Sequence, residues 1–405
     1  MHCTRRITDK LYYVGGDDRR LTLFENIHPV PMGVSYNSYL LLGSKNILFD
    51  AVDWSYCRNF LDNISFLLSG KELDYIVVNH VEPDHGASME EVLLRYPNVK
   101  IVATERAFLF MRQFGFSIES HEQIIARNEE SLEIGEYRLK FITASMVHWP
   151  EVMCTLELTT GALFTADAFG SFGSLDGRLF NDEVNYERDF LDESRRYYFN
   201  IVGKYGVQVA ALLNRIKCEA ENIKFICPLH GLVWRSSLDY LLSMYDKWSR
   251  YESEEKGAVI VYASMYGNTE NAAFSLAASL CEKGMTNVRL FDVSRTDASY
   301  IIAQCCRVSH IILASCTYNF AIYPPMESLL HHFKGIGLKN RTFAVIENGT
   351  WAIKSGDLME RYISEEIKNN EIIEGRVTVT SSPDKDNLEE LNELSERIIL
   401  SINKK

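Results

Sequence analysis

Apolar and polar positions change rhythm partway along the chain. Up to about residue 230, short apolar runs of strand length recur among polar loops: VSYNSYLLLG (34–43), KNILFD (45–50), LDYIVVN (73–79), VKIVAT (99–104), YRLKFITA (137–144) and LFTAD (163–167). Each predicts a strand, while WSYCRNFLDNISFLL (54–68) and SMEEVLLRY (88–96) carry helical spacing. That mixture predicts two sheets with helices outside them, an α+β sandwich. A helix over 236–251 then runs into ESEEKG (252–257), a charged, turn-prone segment that marks a domain boundary. The predicted domains are therefore 1–251 and 257–405.

Beyond the boundary the strands become continuous apolar runs alternating with helices. AVIVYAS (258–264), VRLFDV (288–293), HIILAS (310–315), TFAVIEN (342–348) and VTVTS (377–381) are strands. TENAAFSLAASLCEKG (269–284), MESLLHHFKGIG (326–337) and the segment from Asn387 to the end are helices. Strand–helix alternation of this kind predicts an α/β doubly wound parallel sheet, whose ligands sit outside the carboxyl ends of the strands.

Composition narrows the function. A chain of 405 residues exceeds what one core usually serves, in keeping with two domains. Its 42 basic against 55 acidic residues, a formal net charge of −13, argue against a nucleic-acid partner, which needs a basic surface. No apolar run approaches the length of a membrane span, and the N-terminal MHCTRRITDKLYYVGG has no apolar core of a secretory signal. Nine cysteines without a C-x-x-C pair, only the adjacent Cys305–Cys306, read as reduced thiols of a cytoplasmic protein. Thiolate iron or zinc sites lose their usual signal.

Two sets of residues carry chemistry. The first strand of the C-terminal domain runs into SMYGNTE (264–270), where Ser264, Asn268 and Thr269 offer short donors and Gly267 a tight turn at a helix N-terminus. Unpaired N–H groups and the helix dipole there can hold a phosphate without a lysine. Two further loops follow later strands, SCTYNFAIYPP (315–325) and ENGTWAIKSG (347–356). Tyr318 and Trp351 would wall an isoalloxazine ring, with Asn319, Asn348 and Gly349 at its polar edge; Met265, Tyr266, Ser315, Thr317 and Thr350 complete the expected lining. The first loop closely resembles the [ST]-x-x-G-N-T loop with which flavodoxin-like proteins hold FMN.

In the N-terminal domain, NHVEPDHGAS (79–88) packs His80, Glu82, Asp84 and His85 into six positions beyond a buried strand, a rigid mounting for ligands. A zinc hydrolase with a similar loop would carry a third histidine where this chain has Glu82. His148, Asp167 and His230 also fall at predicted strand ends, where packed sheets would bring them together. Four imidazoles and three carboxylates make a harder, more anionic donor set than a histidine-rich zinc site and suit iron or manganese. Zinc has no redox chemistry to link to a flavin.

The pattern H-x-E-x-D-H followed by H, D and H is similar to the metallo-β-lactamase fold in its iron-binding, oxidoreductase form. Joined to a flavodoxin-like domain, it resembles the flavodiiron proteins (A-type flavoproteins) over essentially the whole chain. The resemblance implies an N-terminal metallo-β-lactamase-like αββα sandwich and a C-terminal flavodoxin-like domain. It implies one iron held by His80, Glu82 and His148, another by Asp84, His85 and His230, and Asp167 bridging them. FMN would feed electrons to this non-haem diiron site, reducing O2 to water, with NO to N2O as a further activity. Tyr197, beside Tyr198 in SRRYYFNI, resembles a family tyrosine near the open face of the irons. Glu25 stands where some relatives place a histidine. A head-to-tail homodimer, or a dimer of such dimers, would bring one subunit's flavin to the other's irons. With no rubredoxin module before Lys405, the donor would be a separate rubredoxin or a reductase. The rival readings are a metallo-hydrolase with a flavodoxin-like module and a flavin-dependent gas sensor.

Overall fold

In the computed structural model, which describes His2–Lys404, the N-terminal strands form two large sheets packed face to face. In the first, Arg5–Arg6, Leu11–Tyr13, Tyr39–Leu41 and Ile47–Phe49 are antiparallel neighbours; Tyr75–Val78, Lys100–Ala103 and Gln123–Ile125 continue in parallel. In the second, Ser131–Ile134, Tyr137–Thr143, Met153–Glu157 and Ala162–Phe164 are antiparallel, and Phe225–Cys227 joins Ala162–Phe164 in parallel. The parallel pairs need crossovers, supplied by helices Cys57–Leu68, Met89–Arg95, Glu105–Gln113 and Gly206–Cys218. The inner faces interlock through Tyr39, Phe49, Val77 and Val102 from one sheet and Phe141, Met153 and Phe164 from the other. The Phe49 and Phe164 rings stack with centroids 3.7 Å apart. This is the αββα sandwich the sequence predicts.

One expected strand is broken. Residues 34–43 form Val34–Tyr36, paired with Gly16–Asp18, and Tyr39–Leu41 in the large sheet. Between them Asn37 Nδ2 donates to the Pro228 and Gly231 carbonyls, both at 2.9 Å, and Ser38 Oγ lies 3.0 Å from the Phe49 and 2.9 Å from the Asp50 carbonyl. These buried polar side chains divert the backbone from one ladder and tie it to the turn that carries His230.

The chain divides into two compact units, Met1–Asp246 and Lys247–Lys405. The division falls within helix Leu238–Ser249, and strand Glu255–Ala263 begins inside the charged segment 252–257. In the second unit the strands lie in the order Val288–Asp292, Glu255–Ala263, Val308–Tyr318, Thr342–Gly349, then Glu371–Ile372 and Val377–Thr380 against Thr342–Gly349, all parallel. This 2-1-3-4-5 order is flavodoxin-like, with its switch point between the first and third strands. Arg341, fully buried, donates to the carbonyls of Cys305, Cys306 and Tyr251, tying a helix C-terminus to the start of this unit.

Candidate metal centre and flavin cradle

The loop after Tyr75–Val78 sorts its own ligands. His80 and Glu82 are two residues apart in extended chain and point the same way. At Pro83 the backbone enters the single helical turn Pro83–Gly86, which swings Asp84 and His85 to the other side. His80 Nε2 lies 3.1 Å from Glu82 Oε2 and 3.2 Å from Asp167 Oδ2. His148 Nε2 lies 3.0 Å from Glu82 Oε2 and 3.1 Å from Asp167 Oδ2. Opposite them, Asp84 Oδ2 is 3.3 Å from His85 Nε2 and 3.2 Å from His230 Nε2. Asp167 Oδ1 is 3.1 Å from His85 Nε2 and 3.7 Å from His230 Nε2. All seven residues converge in two groups, with one oxygen of Asp167 turned to each.

Hydrogen bonding alone does not satisfy this arrangement. An imidazole Nε2 has one proton or one lone pair, yet His80 and His148 each face two carboxylate oxygens. Ligands about 2.1 Å from a metal and at right angles sit about 3 Å apart, which is the spacing found here. His230 gives an independent test. Its Nδ1 lies 2.7 Å from the Ser35 carbonyl, an acceptor only, so Nδ1 carries the proton. Nε2 makes no hydrogen bond, and in the neutral ring its lone pair would face the carboxylates of Asp84 and Asp167, a contact that a cation between them turns from repulsive to attractive. The donor set fits two metal ions.

Electrostatics of the side chains agree. Burial opposes charge on Glu82, but hydrogen bonds from His148 and His80 outweigh it and hold the carboxyl at about 2. Burial likewise opposes the His148 imidazolium, while Asp167 and Glu82 raise it to about 9. Asp167, buried, is held well below the usual carboxylate range by the imidazoles of His85 and His80. Glu25, exposed at a hairpin tip beside Phe24, is pushed up to about 7 by desolvation from the protein around its carboxyl and then by repulsion from Glu82.

Behind the ligands stands a shell the sequence reading missed. Asp50, at the end of Ile47–Phe49, accepts from Asn79 N at 2.6 Å, Asn79 Nδ2 at 2.7 Å and His80 N at 3.2 Å, pinning the ligand loop. Glu151 Oε1 lies 2.6 Å from His80 Nδ1. Asp50 follows a strand and Glu151 lies in the turn two residues before Met153–Glu157; a single acid at either place is a weak signal. Tyr197 ends helix Leu191–Tyr197, which runs into a π-helical turn, Tyr198–Val202. Its ring lies 5.5 Å from that of His230 and 5.1 Å from Phe172. Gly170 leaves room for it: a Cβ there would meet Tyr197 Cε1 at 2.9 Å. The Tyr197 hydroxyl is buried without a hydrogen-bond partner among the described residues, whereas Tyr198 packs on Phe199 and Tyr245.

In the second unit, the three expected loops line one cavity of about 340 Å³. Ser264, Met265, Tyr266, Asn268, Thr269, Thr317, Tyr318, Asn319, Asn348, Gly349, Thr350 and Trp351 all reach it, joined by Cys316, Phe320, Ala352 and Ser381. Gly267 does not line it; at φ +94° it turns the chain into helix Asn268–Glu282 and donates to Ser264 Oγ at 3.1 Å. Ser315 is buried, its hydroxyl 3.1 Å from the Cys316 carbonyl. No lining side chain is charged, so an anion here meets helix N–H groups, hydroxyls and amides. Trp351, 68% exposed, and Phe320 meet edge to face at 5.1 Å above the cavity. A phosphate-bearing planar ring fits this lining.

Comparison with known proteins accords with both halves. Residues 34–231 match the ODP family beta lactamase model, and residues 260–390 the flavodoxin model. The chain is 29% identical over 351 residues to the anaerobic nitric oxide reductase flavorubredoxin of Vibrio vulnificus, covering 86% of this chain and 70% of that one. The rubredoxin oxygen:oxidoreductase of Desulfovibrio gigas shares the fold with a TM-score of 0.92 at 24% identity, over 99% of both chains. A variant of the flavo di-iron protein of Thermotoga maritima superposes with a TM-score of 0.89 at 26% identity, over 98% of both chains.

Proposed function

The chain belongs to the flavodiiron proteins, and on that premise we propose that it is a cytoplasmic reductase working from FMN through a non-haem diiron site, with O2 as its main substrate and NO as a second. When bound, FMN and the two irons supply the redox chemistry: together they store four electrons, enough to take O2 to two waters, while coupling two NO to N2O needs two. His80, Glu82 and His148 would hold one iron, Asp84, His85 and His230 the other, with Asp167 shared. The observation that carries this reading is the splitting of Asp167, one oxygen to each group, in a chain that also builds a flavin cradle.

The protein's own groups have defined tasks. The Ser35 carbonyl keeps His230 in the tautomer whose Nε2 lone pair faces the site. Asp50 holds the backbone of Asn79 and His80, so the first ligands arrive pre-oriented. Tyr197 keeps its proton, because burial and then the Asp167 charge disfavour its phenolate, and its hydroxyl can donate toward the open face. Glu25 stands near the same carboxylates on its hairpin. In the cradle, the N-terminus of Asn268–Glu282 with Ser264, Asn268 and Thr269 would take the FMN phosphate, and Tyr318 and Trp351 would wall the ring.

We place the working unit in a head-to-tail homodimer, alone or paired, that sets one subunit's flavin beside its partner's irons. Tyr266, 91% exposed, Trp351 and Phe320 form an apolar rim around the cradle, the kind of surface a partner covers. The electron donor would be a separate rubredoxin or a reductase. Anaerobic purification with metal and flavin assay, followed by O2 and NO electrode traces with one reduced donor, tests the proposal. Two irons and one FMN per chain with steady gas consumption are expected. Two zinc ions and no flavin would sink it, and gas binding without turnover would favour a sensor.

A further inference from the structure

The two ligand groups differ in what stands behind them. On one side, His230 Nδ1 donates to a neutral backbone carbonyl, Ser35 O, at 2.7 Å, and His85 Nδ1 has no partner among the described residues. On the other, His80 Nδ1 meets a carboxylate, Glu151 Oε1, at 2.6 Å. Glu151 is 1% exposed. Its Oε1 also takes Val81 N at 3.2 Å, while Oε2 is buried with no hydrogen-bond partner among the described residues. Among the described residues no lysine or arginine pairs with it; its ion-pair contact is the ring of His80.

A buried carboxylate with one free oxygen is costly to keep unless its charge is used. Here the free energy has an evident return through the imidazole. A carboxylate accepting from Nδ1–H makes Nε2 a lone-pair donor and makes that lone pair more basic, as a neutral carbonyl does more weakly. It also puts a negative charge in direct contact with an imidazole of one group, whereas in the other no carboxylate meets an Nδ1 among the described residues and Asp50 acts on His85 only through space. The position is fixed on both sides: Trp149 meets the His80 ring edge to face at 5.4 Å, and Thr104 Oγ1 donates to the Glu151 carbonyl at 3.0 Å.

We propose that Glu151 is a positioning residue acting through His80, and that it makes the two metal positions unequal, with the ion at His80, Glu82 and His148 the more tightly held. This inference rests on the metal-centre reading above, and its test separates the two. The full chain, stripped of metal and titrated anaerobically with Co(II), is expected to bind two ions in distinguishable steps. Glu151→Gln keeps the shape and a hydrogen-bond acceptor but removes the charge. It should weaken the tighter step by about tenfold to a hundredfold while the other step stays within about threefold. The visible Co(II) bands of the tighter site should shift and those of the other should not. Glu151→Asp, which restores the charge, should recover most of the loss. If the wild-type chain binds no pair of ions, the metal reading itself fails. If it binds two, and Glu151→Gln leaves both steps unchanged or weakens both equally, the role of Glu151 is wrong and the metal reading stands.

Discussion

Around the metals, donors sit on buried strand ends and are braced from behind: Asp50 on the backbone of Asn79 and His80, Glu151 on His80, the Ser35 carbonyl on His230. Around the flavin cradle, the lining is neutral, its aromatic rim faces solvent, and its loops place Asn319, Phe320 and Ala352 at positive φ. Cations need fixed, desolvated donors, since a carboxylate displaced by an ångström becomes an unpaired buried charge. A flavin that must exchange electrons with a partner needs one edge open, and neutral loops can hold its phosphate through backbone dipoles. One region is held by charge and the other by shape.

Removing the shared charge should break this contrast most severely. Asp167→Ala leaves both groups incomplete and four imidazoles without the carboxylate they face. Iron should fall from two per chain toward none, and turnover by at least about a hundredfold, with FMN content unchanged. Retention of both irons by metal assay would show that Asp167 does not join the groups.

The charged region should also answer to pH where the neutral one does not. In the metal-free chain His148 is raised to about 9 against its burial, through Asp167 and Glu82. Its folded value lies above the ordinary one, so its stabilisation of the metal-free chain is present below about 6.5 and lost as pH rises through about 9. A metal ion must displace that proton. Apparent affinity, measured by chelator competition, should rise about tenfold per pH unit for each proton displaced and level off above about 9. FMN affinity should change far less over the same range, and a metal affinity flat from pH 7 to 10 would remove His148 from the site.

Shape can be broken separately. Gly267 has φ +94°, which a side chain adopts only with strain of about 1–2 kcal/mol. Gly267→Val should therefore weaken FMN binding by about tenfold while leaving two irons bound, as read by flavin fluorescence on release. Loss of iron alongside FMN would mean the two sites are not independent in construction.

The seven candidate ligands stood out in the sequence because charged or imidazole groups follow closely on the strands Tyr75–Val78, Ala162–Phe164 and Phe225–Cys227, with His148 in the turn beyond Tyr137–Thr143. The flavin loops were legible for the same reason, since parallel strands announce where their carboxyl ends lie. Asp50 and Glu151 were not, because one acid after a strand or in a turn is ordinary and only the fold reveals the nitrogen it faces. The break at Asn37–Ser38 escaped as well: its cause lies in carbonyls of residues 228 and 231, nearly two hundred positions away. The π-helical turn at Tyr198–Val202 has no sequence signal of its own.

The smallest change sharpens the comparison at the level of one atom. Tyr197→Phe deletes a hydroxyl that is buried and makes no hydrogen bond among the described residues, so it removes no partner and should leave the melting temperature within about 2 °C. The ring contacts to His230 and Phe172 persist, and both irons should remain. If this hydroxyl, kept protonated beside His230, delivers protons as proposed, the two substrates should show it unequally, because they consume four protons for each O2 reduced to water and two for each pair of NO coupled to N2O. Turnover with O2 should fall by about threefold to tenfold, less than a full general-acid contribution because water can substitute. With NO the fall should be smaller, and the solvent isotope effect should rise for O2 first. Equal losses with both gases would make Tyr197 a packing residue, its ring filling the space that Gly170 leaves open.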